Sequence, residues 1–381
     1  MLKKNILFII ESLGGGGAER VLTTMLKYLD KSKYNVTLCS IVDIGRYVND
    51  VKQFVHYEYI LPNPEQQFGL SAYIYKIKYA LVYRWLPLKI IYRWFVPHGA
   101  DVEIAFVEGY ATKLLSYSSN KRATKIAWIH IDLEKFHWTK SVYSSLSHES
   151  NCYQRYDAIV AVANSVRMAF HRVFPFVHTP VITLYNPIDT SYIIHQSTEH
   201  LNLSQSDRFR IISVGRFTKQ KAFDRLLHAV SKLKKLNYAV ELWLLGDGEL
   251  RKDLEQIIHG EAIEDSVTLW GFQSNPYKYM SQSDLFVCSS VGEGYSTAVT
   301  EALVLGLPVV TTDCSGMSEL LNDGECGIIT DNSEDALYLG IKRLLDHPDE
   351  LEYYKIKASE KGLEFNISLL MQSIEHLLDS C

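Results

Sequence analysis

The sequence predicts an α/β fold: two doubly wound, Rossmann-like parallel-sheet domains facing a cleft. Three observations carry this. Short apolar runs alternate with amphipathic helical stretches along nearly the whole chain, which is the pattern of βαβ units. The alternation stops once, in the polar stretch 190–208, and then restarts. At 381 residues the chain is long for one domain and natural for two. The expected division is a first domain at 1–189, a linker at 190–208 and a second domain at 209–364. The last stretch, 365–381, is expected to be an amphipathic helix packing back on the first domain.

Taken in order, NILFIIE (5–11) is a strand, GGGGAER (14–20) a loop opening a helix that runs to about Leu29, and VTLCSI (36–41) a second strand. VEIAFV (102–107), KIAWIH (125–130), AIVAVA (158–163) and VITLYN (181–186) are further apolar strands, with helical stretches at 110–117 and 165–173 between them. In the second half FRIISVG (209–215), AVELWLLG (239–246), SVTLWGF (266–272), DLFVCSS (284–290) and LPVVTT (307–312) read as buried strands. They alternate with helices at 223–236, 249–259, 276–282 and 297–305. In such folds ligands bind at the carboxyl ends of the strands.

Composition narrows the class. With 47% hydrophobic and 22% charged residues the chain can bury a large core, so neither disulfide nor structural metal is needed to hold it. The six cysteines (Cys39, Cys152, Cys288, Cys314, Cys326 and Cys381) show no C-x-x-C pairing, which points to a reducing compartment. The glycosylation sequons at Asn35, Asn202 and Asn366 are then read as chance. The apolar run after Lys3 and Lys4 is too short for a signal peptide, and no window approaches the ~20 apolar residues of a membrane span. Residues 1–190 carry 22 Lys/Arg against 15 Asp/Glu, a net +7, and residues 191–381 carry 17 against 29, a net −12. A split of this size suggests that the first half meets an anionic surface or substrate, although uneven solvation explains it equally well.

The stretch SSVGEGYSTAVTEALVLGLPVVTTDCSG (289–316) carries the most chemistry. Ser296 is a good N-cap, TAVTEALVL a helix, Gly306 its C-cap and Pro308 the stop. Glu293 falls in the loop before the helix and Glu301 about one turn inside it. A helix N-terminus favours phosphate, and a carboxylate beside it can accept bonds from hydroxyls. Diphosphate at the helix tip with a sugar on each side describes a nucleotide-sugar, while ordinary acids at a helix start explain the same two residues. Arg216 and Lys221, in GRFTKQK after a strand, are two cations able to neutralise a diphosphate leaving group, while two solvated loop charges explain this loop as well when it is taken alone. GDGEL (246–250) is strand-end turn chemistry, and WGF (270–272) could present backbone atoms to a flat base; either motif could equally be purely structural.

The ordered set GRFTKQK, GDGEL, WGF, EGYSTAVTEAL and GLPVVTTDCSG resembles the second domain of family 4 glycosyltransferases, which are retaining, metal-independent enzymes of the GT-B fold, here of the bacterial surface-polysaccharide type. The spacing of Glu293 and Glu301 matches their E-x7-E signature. The resemblance implies that Glu293 holds donor-sugar hydroxyls and Glu301 the ribose. It gives Arg216 and Lys221 the pyrophosphate, with backbone of Gly294, Tyr295, Ser296 and Thr297 adding to that site, and it puts Phe272 by the base. Two departures bear on donor preference. Ala222 stands where glycine is common, and Tyr295-Ser296 replaces a common Phe-Pro or Phe-Gly.

In the first domain the glycine-rich loop GGGGAERV (14–21) permits close backbone approach to a ligand, or is simply a tight turn. It lacks the context of a dinucleotide fingerprint. The resemblance places Gly16, Gly17 and Arg20 near donor phosphate and acceptor, and gives His130, at the end of KIAWIH, a contact to the donor sugar. The catalytic set implied is then Glu293, His130, Arg216 and Lys221. The D-x-E pairs Asp132/Glu134 and Asp101/Glu103 could suggest a metal, but no metal or other cofactor is expected, since cations of the second domain serve the diphosphate.

Residues 66–100 contain no acid, yet hold Lys76, Lys78, Arg84, Lys89 and Arg93 among Tyr73, Tyr75, Tyr79, Tyr83, Trp85, Tyr92, Trp94 and Phe95, with Pro87 breaking the stretch. Basic-aromatic helices suit a membrane interface, and core-packing helices with solvated lysines are the alternative. The expectation is a cytoplasmic glycosyltransferase, peripheral on the inner face of the membrane. It would move a hexose or N-acetylhexosamine from a nucleotide diphosphate sugar, UDP-linked, to a lipid-linked saccharide acceptor of surface polysaccharide (O-antigen or capsule) synthesis, without nucleic acid. The competing readings are a nucleotide-sugar epimerase on the same fold and a non-catalytic sugar-nucleotide-binding partner of a transferase.

Overall fold

The computed structural model describes residues 3–202 and 207–381. Met1 and Leu2, ahead of the expected first strand, lie outside the described residues. So do 203–206 of the expected linker, which include part of the Asn202 sequon. The chain forms two compact units: one runs to Pro187 and takes up Ser368–Cys381, and the other is Ile188–Ile367.

The first unit is a seven-stranded, all-parallel sheet. Its strands are β1 (Lys4–Ile10), β2 (Tyr34–Val42), β3 (His56–Leu61), β4 (Val102–Ala105), β5 (Thr124–Ile129), β6 (Ala158–Ala161) and β7 (Val181–Thr183), in the order β3-β2-β1-β4-β5-β6-β7. The chain works outward from β1 on one side, then returns to start again at β4, so the topological switch point lies between β1 and β4. Ile6 to Ile10 of β1 are at most 1% exposed, because both faces of a central parallel strand are covered. β3 escapes a reading by apolar runs, since HYEYIL has only its last two residues buried at the sheet edge.

The second unit is a six-stranded parallel sheet of β8 (Phe209–Val214), β9 (Val240–Leu245), β10 (Val267–Gly271), β11 (Leu285–Cys288), β12 (Val309–Thr312) and β13 (Ile328–Thr330), ordered β10-β9-β8-β11-β12-β13. Alternate strand residues feed two cores. Ile211, Leu242, Leu244, Leu285 and Val287 pack with Leu226, Val230, Leu337 and Ile341 of the helices Phe223–Lys235 and Glu334–Asp346. Their neighbours Ile212, Trp243, Leu245, Phe286 and Cys288 pack on the opposite face with Val299, Leu303, Met317 and Tyr277. The switch point here is β8/β11.

Two expectations need correction or extension. The first half of the expected linker is a helix, Thr190–Ser197, within the second unit. Asp189 caps it by accepting from the Tyr192 amide at 3.0 Å, and Ile193 buries in the unit's core. Asn275 Nδ2 and Ser281 Oγ donate to the carbonyls of Gln196 and Ser197 at 2.9 and 3.1 Å, so tertiary bonds and a cap hold this short helix and its polar sequence misleads. The acid-free stretch forms the helix Gly69–Ala80, a π-helical turn over Leu81–Trp85, and, after Pro87, the helix Leu88–Phe95. Among the described residues no helix is long and apolar enough to cross a membrane.

The last helix, Ile367–Ser380, closes the first unit. Lys4 donates through Nζ to the carbonyls of Leu378 and Cys381 at 2.8 and 2.9 Å, and Glu375 accepts from the Asp30 amide at 3.0 Å. Met371, Ile374 and Leu378 are the buried face. Ile374 is fully buried, so Ile374→Ala should lower the stability of the first unit by about 2–5 kcal/mol. Urea unfolding followed by circular dichroism would show the shift.

Candidate functional site

The switch point of the second unit brings together two loops from distant parts of the sequence. After β8 the chain runs through Gly215 and Arg216 to Lys221; after β11 it runs through Ser289 and Ser290 to Glu293. The loops are stitched by backbone and side chain. The Val291 amide donates to the Gln220 carbonyl at 2.9 Å, Gln220 Nε2 to the Gly292 carbonyl at 2.9 Å, and Ser289 Oγ to the Lys221 carbonyl at 2.8 Å. Lys221 Nζ then lies 2.5 Å from Glu293 Oε1, and Ser290 Oγ donates to the same oxygen at 2.5 Å. Burial pulls the Lys221 ammonium down, but the Glu293 carboxylate outweighs it and holds Lys221 above its ordinary value of 10.5. Arg216, in the same loop, is exposed, and its guanidinium bonds nothing among the described residues.

Glu293 precedes the helix Thr297–Val304, whose N-cap is Ser296, with Oγ accepting from the Val299 amide at 3.4 Å. The amides of Thr297 and Ala298 are first-turn donors without an intrahelical partner. Glu301 is 2% exposed and accepts from Tyr277 Oη at 3.1 Å. Gly294 is pressed from below: a Cβ on Gly316, at φ +79°, would stand 2.1 Å from the Gly294 carbonyl oxygen. Thr312 Oγ1 donates to the Ser290 carbonyl at 2.6 Å, and Asn332 Nδ2 to that of Val291 at 3.1 Å, so the strand ends of β12 and β13 also hold the Glu293 loop. Tyr295 is half-buried beside them.

GDGEL and WGF have structural work. A Cβ on Gly246, at φ +138°, would stand 1.9 Å from the Gly215 carbonyl oxygen, and one on Gly248 2.5 Å from that of Phe217. Phe217 donates its amide to the Asp247 carbonyl at 2.9 Å. The turn after β9 therefore braces the Arg216 loop. Trp270 stacks edge-on against Trp243 and Tyr279, leaving Phe272 half-buried at the carboxyl end of β10, two strands from β8. Ala222 has φ +46°, the left-handed conformation that explains why glycine is the easier residue at this helix start.

In the first unit, Gly16 is the N-cap of the helix Gly17–Tyr28, with Gly17 its first residue. A Cβ on Gly16 would meet Glu19 Oε2 at 2.5 Å, so a carboxylate already folds over this helix tip. That anion sits where a phosphate is expected, a point invisible in the loop's glycine content. Arg20 is half-buried one residue on. His130 follows β5. Burial pushes its imidazole down to about 3, against a bond to the Phe106 backbone, so the ring is neutral at ordinary pH. Among the described residues Nε2 is buried without a partner, which leaves Nδ1 as the donor to Phe106 and Nε2 as an acceptor. Glu108, after β4, orients this region: Oε2 accepts from the His130 amide at 2.9 Å and Oε1 from Trp138 Nε1 at 3.3 Å. The D-x-E carboxylates are engaged elsewhere. Asp132 accepts from the amides of Glu134 and Lys135, Asp101 from the Asn5 amide, and buried Glu103 from Tyr92 and Asn120. Among the described residues no group of three or more His, Cys, Asp or Glu could hold a metal ion.

Two parallel-sheet α/β units of this kind are the make-up of a GT-B glycosyltransferase. Residues 15–192 match the family described as Glycosyltransferase Family 4, and residues 198–361 that described as Glycosyl transferases group 1. Over 379 residues the chain is 30% identical to the N-acetylgalactosamine-N,N'-diacetylbacillosaminyl-diphospho-undecaprenol 4-alpha-N-acetylgalactosaminyltransferase of Campylobacter jejuni subsp. jejuni serotype O:2, covering 97% of this chain and 98% of that one. The lipopolysaccharide core biosynthesis glycosyltransferase LpsE of Rhizobium meliloti is 35% identical over 40% of this chain and 43% of its own. Anabaena HepE, solved in complex with UDP and glucose, has the same fold, with a TM-score of 0.77 at 20% identity over 99% of both chains. The protein belongs to the family 4 glycosyltransferases.

The Lys221–Glu293 pair gives a test of its own. Lys221 is raised in the folded state, so its contribution to stability is full below the unfolded value of 10.5 and is lost as pH rises through the folded value. Lys221→Met leaves a largely buried carboxylate alone and should cost about 3 kcal/mol. The wild-type advantage over this variant, measured by urea unfolding, is expected to be flat from about pH 6 to about pH 9 and to shrink only above 10.5.

Proposed function

We propose that the protein transfers a hexose or N-acetylhexosamine from a UDP-sugar, with retained anomeric configuration, to a saccharide hydroxyl on a polyprenyl-diphosphate-linked intermediate of surface polysaccharide assembly. The observation that carries this is the paired Lys221 and Glu293 beside the exposed Arg216 and the open first turn of the helix at Ser296. Arg216, Lys221 and the helix tip would take the diphosphate, stabilising the charge that develops as the leaving group departs. Glu293, released or shared by Lys221, would hold donor-sugar hydroxyls; Glu301 would hold the ribose, and Phe272 would lie by the base. His130 Nε2 can accept a hydroxyl but cannot donate a proton at ordinary pH, so its part is sugar binding. With the departing phosphate oxygen accepting the acceptor's proton on the face it leaves, configuration is kept, and the protein's work is positioning and charge stabilisation. The undecaprenyl-linked name of the Campylobacter relative supports a lipid-linked acceptor.

Calorimetric titration with UDP, GDP and ADP in EDTA tests the donor. UDP alone should bind; binding that needs added magnesium or manganese would overturn the metal-free reading. Glu293→Ala should abolish transfer while leaving UDP affinity within a few-fold of wild type, and an equal loss of both would remove the role given to Glu293.

The same reading places the protein peripherally on the cytoplasmic membrane face. On the helix Gly69–Ala80, Leu70, Tyr73, Ile74 and Ile77 share one exposed face at 100° per residue, flanked by Lys76 and Lys78. Phe68, Trp85 and Trp94 are exposed nearby. Sedimentation with phosphatidylglycerol vesicles should recover the wild type, and a Leu70→Ser/Ile74→Ser/Ile77→Ser variant should remain in the supernatant.

A further inference from the structure

Glu11 is the first residue after β1, at the switch point of the first unit, and nothing above uses it. Its backbone is fixed, the carbonyl accepting from the Val42 amide at 2.9 Å and from Ser40 Oγ at 3.4 Å. Its side chain is half-buried, and Oε1 accepts from Tyr83 Oη at 3.0 Å. The other oxygen bonds nothing among the described residues, and no cation pairs with the group. Burial therefore pushes the carboxyl above its ordinary range, which the Tyr83 bond only partly offsets. A carboxylate held at a ligand-binding strand end with one oxygen to spare is equipped to accept a hydroxyl.

What leads to it is aromatic. Tyr75, Tyr79 and Tyr83 recur at four-residue spacing, and their rings form a continuous series with Tyr110: centroids are 6.1 Å apart for Tyr75–Tyr79, 4.6 Å for Tyr79–Tyr83 and 4.5 Å for Tyr83–Tyr110. By helical geometry Tyr75 and Tyr79 lie opposite Leu70, Tyr73, Ile74 and Ile77. One helix thus turns an apolar, lysine-flanked face outward and a tyrosine face toward the end of β1. A pyranose presents a C–H face that suits an aromatic ring and an edge of hydroxyls that suits a carboxylate.

We propose that Glu11, positioned by Tyr83, binds a hydroxyl of the acceptor saccharide, whose ring lies on the Tyr75–Tyr79–Tyr83 face. This rests on the transferase reading and adds the acceptor subsite to it. The tyrosine face and the outward face share one helix, so a saccharide tethered to a lipid can reach Glu11 while its lipid stays in the bilayer.

The test compares the full-length wild type, Glu11→Gln, Glu11→Asp and Tyr83→Phe. Glu11→Gln keeps an oxygen for Tyr83, so the helix stays fastened while the charge is lost. With UDP-N-acetylgalactosamine and UDP-N-acetylglucosamine as donors and polyprenyl-diphosphate-linked N-acetylhexosaminyl acceptors, Glu11→Gln should raise the acceptor KM about tenfold. UDP affinity and slow donor hydrolysis without acceptor should stay at wild-type values. Glu11→Asp should recover part of the loss, and Tyr83→Phe should raise the acceptor KM less than Glu11→Gln does. An unchanged acceptor KM, or a parallel loss of UDP affinity, overturns the proposal and leaves the transferase reading intact. If the wild type transfers to none of these acceptors, that reading's acceptor class fails, and the subsite is read from binding alone. Saturation-transfer NMR of methyl N-acetyl-α-galactosaminide and -glucosaminide on the UDP-bound protein should then show signals in the wild type that Glu11→Gln abolishes. Equal signals, or none, sink the proposal.

Discussion

The ammonium of Lys221 and the carboxylate of Glu293 belong to loops 72 positions apart, and most of the second unit's strand-end geometry follows from their meeting. Both groups give up water to reach a 2.5 Å contact, a cost that is recovered only where the geometry is good and the remaining lone pairs are satisfied. Ser290 supplies that second bond, and the mutual bonds of Gln220 with Val291 and Gly292 hold both backbones around the pair. The switch point makes this possible. β8 and β11 lie side by side, so loops from opposite halves of the unit leave the sheet together. On the proposed reading, a diphosphate competes for the lysine while the glutamate keeps Ser290, so the carboxylate remains oriented when its cation is shared.

Close backbone approach is the second constraint. Gly246 and Gly316 are needed because a side chain at either would enter a neighbouring carbonyl, at Gly215 and at Gly294 respectively. The turn after β9 braces the loop bearing Arg216, and the turn after β12 braces the loop bearing Glu293. Motifs that look like ligand contacts in the sequence are thus partly the frame that sets the ligand contacts at their height above the sheet. Ala222, left-handed and buried at the start of the next helix, sits in the same frame and strains it by one methyl group.

Where the signal is local, the sequence is readable. Ser296, the apolar helix behind it and Gly306 announce the helix Thr297–Val304, so the loop position of Glu293 and the helical position of Glu301 follow from cap chemistry alone. Most strands of both sheets are readable because buried parallel strands are apolar on both faces; β13, three residues at a sheet edge with only Ile328 buried, is not. Edge strand β3 and the helix Thr190–Ser197 are not, since a single buried face or a single buried isoleucine leaves no apolar run. Partners distant in sequence are also hidden. Nothing near Tyr277 or Glu108 marks them out, because their significance lies in Glu301 and the His130 amide, 24 and 22 positions away, which only the folded sheet brings near. Glu19 closing over Gly16 is hidden for a different reason. A glycine-rich loop before a helix invites an anion, and the sequence does not say that the anion is the chain's own.

Net charge misleads about which unit handles which charge. The basic half of the chain carries, at its strand ends, Glu11 and a neutral His130, which are acceptors suited to hydroxyls, with Glu108 engaged in orienting the His130 region. The acidic half carries Arg216 and Lys221 at the strand ends of its switch point. The positive excess of the first half is concentrated instead in its acid-free helices, where Lys76 and Lys78 flank an exposed apolar face. On the proposed reading, the cations and helix tip of the second unit serve the diphosphate, Glu293 and Glu301 beside them the donor's hydroxyls, Glu11 of the first unit an acceptor hydroxyl, and the surface lysines an anionic interface. A carboxylate held by a cation, as Glu293 is by Lys221, has to be released or shared before it can accept a hydroxyl. Glu11 avoids that cost by being paired with a tyrosine, which orients one oxygen and leaves the other available.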